Sequence, residues 1–130
     1  MARPASRHPT ELELAILKIL WRDGPATVRT VREKLYGSRD RAYTSVMTVM
    51  NIMTEKRYLT RVMKGGSYVY RPRLKEAATT RRMLHDLVDR AFDGSATALM
   101  LDLLETKEIN AAELKQLRAL IDGKARRKSP

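Results

Sequence analysis

The sequence contains no cysteine, and its 130 residues include only two histidines and no long apolar run. The absence of cysteine excludes disulfide bonds and thiolate metal sites, and it is typical of proteins in a reducing cytoplasm. No segment approaches the roughly 18 apolar residues of a membrane-spanning helix, and residues 1–10 lack the apolar run of a signal peptide. We therefore predict a cytoplasmic protein that does not bind membranes.

Few side chains are suited to catalysis. His8 lies near the N-terminus, and His85 stands in a helical segment without the positioned partner that a histidine-activated nucleophile needs. A metal site formed by His85, Asp86 and Asp89 is conceivable, but this spacing is more typical of a solvated helix face. Gly65-Gly66 is too short to be a phosphate-cradling loop. We predict that the protein is not an enzyme and needs no metal or cofactor.

Basic residues are unevenly distributed along the chain, which carries 26 Lys and Arg against 15 Asp and Glu, a formal net charge of +11. Residues 1–73 hold 15 basic and 6 acidic side chains (net +9), whereas residues 74–123 hold 7 and 9 (net −2). Residues 124–130 add four basic side chains and no acidic one. This pattern predicts a polyanion-binding domain at 1–73, a different domain at 74–123 and a basic disordered tail at 124–130.

The basic half is organised around a predicted helix at residues 42–57. Val46, Val49, Met50 and Met53 recur at helical spacing and indicate one buried stripe. The opposite face is small, polar and uncharged in its N-terminal half. Such a face suits contact with base edges, with a methionine available to a thymine methyl group. An ordinary solvated helix face is the alternative.

The elements around this helix follow the order of a winged helix-turn-helix domain, in which helix three enters the major groove and a hairpin forms the wing. The predicted elements are a first helix opened by the capping box of Thr10 and Glu13, a second at Val28–Tyr36 capped by Thr27, the helix at 42–57, and strands at Leu59–Lys64 and 67–71 joined by Gly65-Gly66.

This order assigns DNA contacts to three segments. The capped N-terminus of helix two, beside Arg29, is a candidate phosphate clamp, with a solvated face as the alternative. Helix three supplies the base contacts, and the hairpin tip lies along the phosphate backbone. The predicted DNA-binding residues are Thr27, Arg29, Arg41, Tyr43, Thr44, Ser45, Met47, Thr48, Asn51, Lys64 and Ser67.

Three more helices are predicted beyond a linker at 72–74: residues 76–92, a helix capped by Ser95, and a helix capped by Asn110 and closed by Gly123. The segment 99–104 is apolar nearly all round, and about 50 residues cannot easily bury so much apolar surface alone. We therefore predict a homodimer, the alternative being that this region folds back onto the N-terminal domain. The predicted interface comprises Leu84, Leu87, Val88, Leu99, Met100, Leu101, Leu103, Leu104, Leu117 and Ile121.

Several segments resemble the penicillinase/methicillin-resistance repressor family, and the likeness covers nearly the whole chain. They are Glu11-Leu12-Glu13, Ile19-Leu20-Trp21, Ala26-Thr27-Val28-Arg29-Thr30-Val31, Tyr43-Thr44-Ser45-Val46-Met47-Thr48-Val49-Met50, Leu59 and Tyr68-Val69-Tyr70. The resemblance implies a mostly α fold with a small β-hairpin: an N-terminal winged helix-turn-helix and a C-terminal three-helix dimerisation region. It also implies a dimeric bacterial transcriptional repressor.

The partner implied by the resemblance is double-stranded operator DNA, which would place the protein at the nucleoid. The operators are inverted repeats, typically around TACA/TGTA elements, of β-lactam-resistance or related stress genes and of the repressor's own operon. A non-specific architectural DNA-binding protein and a protein-binding winged helix are the alternatives. The uncharged outer face of helix three favours specific binding.

Two positions depart from the family pattern, and one regulatory route remains a hypothesis. Ile52 stands where members usually carry Arg, and Arg57 where they carry a helix-ending Gly, which eases a left-handed turn.

Family members that respond to penicillin are inactivated by a membrane sensor-protease pathway that cuts between Asn and Phe. The matching positions are Asp102 and Leu103. The alternatives to proteolysis are a small ligand or a protein antagonist that ends repression. One branch of the family senses copper through C-terminal cysteines, and this chain cannot do so because it has no cysteine.

Overall fold

The computed structural model describes residues 8–37 and 43–128, with the side chains of 8–37 and 45–127. This part of the chain forms six helices and one two-stranded antiparallel sheet, which is the predicted winged helix-turn-helix fold followed by three helices. The elements are α1 (Glu11–Asp23), α2 (Val28–Tyr36), α3 (Tyr43–Glu55), β1 (Leu59–Lys64), β2 (Ser67–Pro72), α4 (Glu76–Ala91), α5 (Ala96–Thr106) and α6 (Ala111–Lys128).

The predicted helix caps are confirmed. In the α1 capping box, the Glu13 amide donates to Thr10 Oγ1 at 3.2 Å and the Thr10 amide donates to Glu13 Oε1 at 2.8 Å. The Thr27 hydroxyl accepts from the amide of Thr30 at the start of α2. Ser95 and Asn110 accept from the amides three residues further on at the starts of α5 and α6. Each cap satisfies a backbone donor that has no partner within the first helical turn.

Three helices and the base of the hairpin enclose one hydrophobic core. The predicted stripe of α3 is buried at Val46, Met50 and Met53, which are at most 1% exposed, whereas Val49 is half-buried at its edge. The core is completed by Ile16, Leu17, Ile19 and Leu20 of α1, Val28 and Val31 of α2, Leu59 of β1 and Tyr70 of β2. Burial of this stripe leaves the opposite face of α3 at the surface.

A buried ion pair connects the start of α1 with the end of α3. The Glu13 carboxylate is only 2% exposed as a residue, and its Oε2 lies 2.9 Å from Lys56 Nζ. The Lys56 ammonium also lies 5.6 Å from the centroid of the Tyr58 ring. Since an unpaired buried carboxylate is costly, this lysine stabilises the charge that the capping box places inside the domain.

The hairpin turns at Gly65 and Gly66, whose φ angles of 55° and 82° are those of a type I′ turn. The register pairs Arg61 with Tyr70 and Met63 with Tyr68, so these four side chains share one face of the hairpin. Ala26 and Tyr70 exchange two backbone hydrogen bonds of 3.0 and 2.8 Å, which attach the α1–α2 connection to β2. This short bridge, not predicted from the sequence, anchors the hairpin beside the start of α2.

Arg57 has a φ of 67° at the end of α3, a left-handed conformation that glycine adopts more readily. We predict that Arg57→Gly raises the free energy of unfolding by about 0.5–1 kcal/mol, because relief of strain exceeds the entropy that glycine loses on folding. Urea denaturation measures this change. Arg57→Ala is the control, because it removes the same charge but keeps the β-carbon. We expect it not to raise the free energy of unfolding. Equal stabilisation by both variants would mean that charge, not backbone strain, is responsible.

The chain divides into two compact units between Leu84 and His85, later than the boundary predicted after Arg73. The reason lies in residues 74–79, which belong to the first unit. The Trp21 indole donates to the Leu74 carbonyl oxygen at 2.8 Å, Leu74 packs against the core, and Thr79 is buried. The start of α4 is therefore part of the winged-helix unit.

The predicted end of the last helix at Gly123 is wrong, because α6 continues to Lys128. Gly123 is not in the positive-φ conformation that ends helices, and one interior glycine costs only about 1 kcal/mol. The residues that follow are good helix formers, and their positive charges interact favourably with the C-terminal end of a helix dipole. The predicted disordered tail at 124–130 is accordingly helical as far as residue 128.

The second unit buries little of its apolar surface. From residue 89 to 127 no side chain is buried, and α5 contributes none to any core. Val88, one of the predicted interface residues, is 8% exposed within the single chain, and Leu99 is half-buried. The other predicted interface residues are 39–58% exposed: Leu84, Leu87, Met100, Leu101, Leu103, Leu104, Leu117 and Ile121.

Candidate nucleic-acid interface

An open groove of about 960 Å³ lies between the N-terminal end of α2, the face of α3 and the hairpin. Arg29 and Arg32 of α2 line one side, and Arg61 of β1 lines another. None of the three has a carboxylate partner among the residues that the structure describes. The groove is therefore positively charged. It is completed by Thr27, Val28, Met47, Asn51, Met63, Gly66, Ser67, Tyr68 and Tyr70.

Basic residues elsewhere in this unit are partly neutralised. Asp23, at the end of α1, forms ion pairs with Arg22 at 3.0 Å and Lys34 at 2.8 Å. Hydrogen bonds from Arg22 and then Lys34 lower the pKa of the Asp23 carboxyl to about 2. Asp23 consequently stays ionised at physiological pH and offsets the charge at the end of α2 that lies away from the groove.

The N-terminal end of α2 forms the first part of the predicted contact surface. The Thr27 hydroxyl accepts from the Thr30 amide and donates to Thr30 Oγ1 at 3.2 Å. Two hydrogen bonds to Thr30 therefore fix the capping side chain. Arg29 is exposed in the first turn. The positive end of a helix dipole and a guanidinium thus lie side by side on the groove.

The face of α3 forms the second part. Ser45 and Thr48 are exposed, whereas Met47 is half-buried, packs against the core and lines the groove. Ile52 is 41% exposed, so a large apolar side chain stands where the family usually has Arg. Of the remaining predicted residues, Arg41 lies outside the described residues, as do the side chains of Tyr43 and Thr44.

The hairpin forms the third part. Lys64 and Ser67 are partners in the register and are both exposed beside the Gly65-Gly66 turn. Ser67 lines the groove, whereas Lys64 does not, although both stand at the tip. Their pairing places both side chains on the face of the hairpin opposite Arg61 and Met63.

Arg61, Tyr68 and Tyr70 belong to the groove but were not predicted from the sequence. Arg61 Nη1 and Tyr70 Oη each donate to Asn51 Oδ1 at 2.8 Å. The Arg61 guanidinium carbon lies 4.1 Å from the centroid of the Tyr68 ring. The period-2 alternation of the hairpin places Arg61 and Tyr70 on the face that carries buried Leu59, and this signal could have identified them.

A helix-turn-helix with a basic groove between its second helix, its third helix and a β-hairpin defines the class of winged-helix regulators. The chain belongs within that class to the penicillinase repressor family, whose sequence profile matches residues 9–123. This family is one of transcriptional regulators and not of enzymes, which confirms the prediction that the chain is a regulator.

Individual relatives agree with this assignment. The chain is 33% identical over 110 residues to the transcriptional regulator BlaI of Mycobacterium tuberculosis (strain ATCC 25618 / H37Rv), covering 83% of this chain and 78% of that protein. It is 20% identical over 119 residues to the penicillinase repressor of Bacillus licheniformis, covering 92% and 93%. It is 18% identical over 112 residues to the methicillin resistance regulatory protein MecI of Mammaliicoccus sciuri, covering 86% and 91%.

None of the helices in the described ranges is long and apolar enough to span a membrane.

Proposed function

We propose that the protein is a cytoplasmic, dimeric, sequence-specific DNA-binding repressor of inverted-repeat operators. Its targets are β-lactam-resistance or related stress genes and its own operon. The observation that carries this proposal is the groove itself. Three arginines without carboxylate partners among the described residues lie beside Met47 and Asn51 of α3, and the exposed side chains of the N-terminal half of α3, Ser45 and Thr48, are small, polar and uncharged. Arginines suit the phosphate backbone, which sets affinity, whereas small polar side chains suit base edges, which set specificity. The family membership supports the same conclusion.

The proposal divides the contacts between phosphate and bases. Thr27, Arg29, Lys64 and Ser67 lie at the two edges, and we assign them to the backbone, together with Arg41. Base reading is assigned to the N-terminal half of α3 through Tyr43, Thr44, Ser45, Met47 and Thr48. Asn51 belongs to the predicted set as well, but its carboxamide oxygen already accepts two hydrogen bonds from the hairpin.

Dimerisation is the second part of the proposal. Ten large apolar side chains of α4, α5 and α6 are 39–67% exposed in the single chain: Leu84, Leu87, Met100, Leu101, Leu103, Leu104, Leu114, Leu117, Leu120 and Ile121. Monomeric proteins rarely expose so many large apolar side chains close together in the sequence. A second copy presenting the same face can bury them, since a two-fold interface uses one self-complementary surface. A two-fold dimer also matches the symmetry of an inverted-repeat operator.

The third part concerns release of repression through a membrane sensor-protease pathway. The Asp102–Leu103 bond lies within α5. A protease that binds its substrate as an extended chain can cut this bond only after the helix has unfolded locally. Cutting there divides α5 and removes α6 from the dimer. Mass spectrometry of the chain before and after β-lactam exposure in its native cell tests this route. An intact chain in cells whose target genes are switched on would exclude it and favour a ligand or a protein antagonist.

The test of specific binding is a footprint on the promoter beside the protein's own gene, followed by competition with unrelated DNA. We expect a protected inverted repeat and affinity at least ~10³-fold above that for unrelated DNA. Equal competition by any duplex would indicate a non-specific architectural protein instead.

Alanine substitutions separate base readers from phosphate binders. We predict that Thr48→Ala and Met47→Ala each cost about 1–3 kcal/mol on the cognate operator and relax base preference. Arg29→Ala and Lys64→Ala should weaken binding to all sequences about equally and flatten the salt dependence. Fluorescence anisotropy with cognate and scrambled duplexes measures both effects. Identical behaviour of the two pairs would show that the base-facing surface has been assigned to the wrong residues.

A further inference from the structure

Asn51 lies where α3 meets the hairpin, and its carboxamide oxygen is already used within the protein. Tyr70 Oη and Arg61 Nη1 each donate to Asn51 Oδ1 at 2.8 Å. An asparagine that reads adenine needs this oxygen to accept from the base amino group while its nitrogen donates to N7. An amide oxygen has two lone pairs, and two donors occupy them here. Asn51 is therefore not arranged to read adenine.

The same contacts hold the guanidinium of Arg61 in place. Asn51 binds its Nη1, and the Tyr68 ring covers one face, with the guanidinium carbon 4.1 Å from the ring centroid. The Tyr68 ring in turn meets Tyr70 edge-on, with the centroids 6.4 Å apart. A long side chain usually loses conformational freedom when it binds a ligand, so a side chain fixed beforehand binds at a lower entropic cost.

The held guanidinium suits a phosphate group. It has five N–H donors, of which one hydrogen bond to Asn51 uses one. Arg61 is exposed, lines the groove and has no carboxylate partner among the described residues. Its planar donors match two phosphate oxygens at once, and hairpins of winged-helix proteins lie along the DNA backbone.

We propose that Arg61 binds a backbone phosphate of the operator and that Asn51, Tyr68 and Tyr70 position its guanidinium for that contact. This inference rests on the proposed function and deepens it, because it adds a phosphate-binding residue and changes the role of Asn51. The alternative occupant of this part of the groove is a base edge read by Asn51 itself, and paired substitutions of Asn51 and Arg61 separate the two.

The test is a double-mutant cycle in the full-length protein on the footprinted operator, with affinities measured by fluorescence anisotropy. We expect Arg61→Ala to weaken binding about tenfold or more and to lower the salt slope by about 1 for each phosphate that is no longer bound. Asn51→Ala should weaken binding by a smaller factor without changing preference among operators altered one base pair at a time. Because Asn51 acts through Arg61, the double variant should bind like Arg61→Ala alone.

Two further variants test the geometry. Tyr70→Phe removes only the hydroxyl that binds Asn51 and keeps the buried ring. It should therefore lower the affinity for the operator when Arg61 is present and leave it unchanged in the Arg61→Ala background. Arg61→Lys keeps the charge and loses the planar donors, so it should keep the salt slope but not the full affinity. The matched control is Arg71→Ala, which removes an exposed arginine from the opposite face of the same hairpin and should change affinity little.

Additive effects of Asn51→Ala and Arg61→Ala, together with relaxed base preference in Asn51→Ala, would overturn the proposal and make Asn51 a base reader. An equal loss in Arg71→Ala would also overturn it, since only net charge would then matter. Failure of the unaltered protein to prefer its operator would refute the proposed function itself and this assignment with it.

Discussion

Operator affinity is expected to fall about 10³- to 10⁵-fold between 50 mM and 200 mM salt. Neutralising phosphates with arginine and lysine releases condensed counterions from DNA, and the decrease in affinity follows the number of phosphates contacted. If a dimer contacts about 6–10 phosphates, log K falls with log salt at a slope of about −5 to −9. The net charge of +9 over residues 1–73 and the arginines of the groove are the basis for this estimate.

Anisotropy titrations of a labelled operator across this salt range measure the slope. Arg29→Ala should reduce its magnitude by about 1 for each phosphate that the variant no longer binds, and a symmetric dimer gives up two. Lys115→Ala is the matched control, because it removes one exposed positive charge from α6, far along the chain from the groove residues. A nearly flat salt response, or an equal change in both variants, would contradict the assignment of the groove to DNA.

Local features of this fold could be read from the sequence because their causes are local. Thr10 and Glu13 lie three residues apart and form the predicted capping box. The stripe of Val46, Met50 and Met53 repeats at the helical period and is buried. Arg57 replaces a glycine at a helix end, and its φ of 67° shows why glycine suits that position.

Contacts between distant residues could not be read in the same way. The partner of Glu13 is Lys56, and the indole of Trp21 binds the carbonyl of Leu74, which moves the unit boundary into α4. In each case the pattern shows that a polar group exists but not which of many possible partners the packing brings to it.

The candidate site shows the same division. Met47, Thr48 and Arg29 were predicted because each lies on a helix whose faces follow from periodicity. The contacts that organise the hairpin side of the groove depend on register, which pairs Arg61 with Tyr70 and places both beside Asn51. Alternation along the hairpin places Arg61 and Tyr70 on one face, but the sequence does not show that this face meets Asn51 of α3, because that contact depends on packing between separate elements.

Leu101→Asp is expected to convert the dimer to monomer and to lower operator affinity by about 100-fold or more. The Leu101 side chain is 55% exposed in the single chain, so a carboxylate there should cost the folded monomer little. In a dimer that covers α5, the same carboxylate would be buried without a partner, which is unfavourable. Two separate winged helices then lose the high effective concentration that the dimer provides for the second half-site.

Sedimentation velocity and operator titrations measure the two effects on the same sample. Ala96→Asp is the control, since it adds the same charge at an exposed position of α5 that lies about 140° around the helix from Leu101. A chain ending at Leu84 keeps Leu74 and Thr79 in the first unit, and it should remain folded, sediment as a monomer and bind a single half-site weakly. If this shorter chain still dimerised, the interface would have to lie in the winged-helix unit and the exposed leucines of α5 and α6 would need a different partner. If Leu101→Asp remained a dimer, Leu101 would lie outside the interface and the assignment of this face of α5 to it would be wrong.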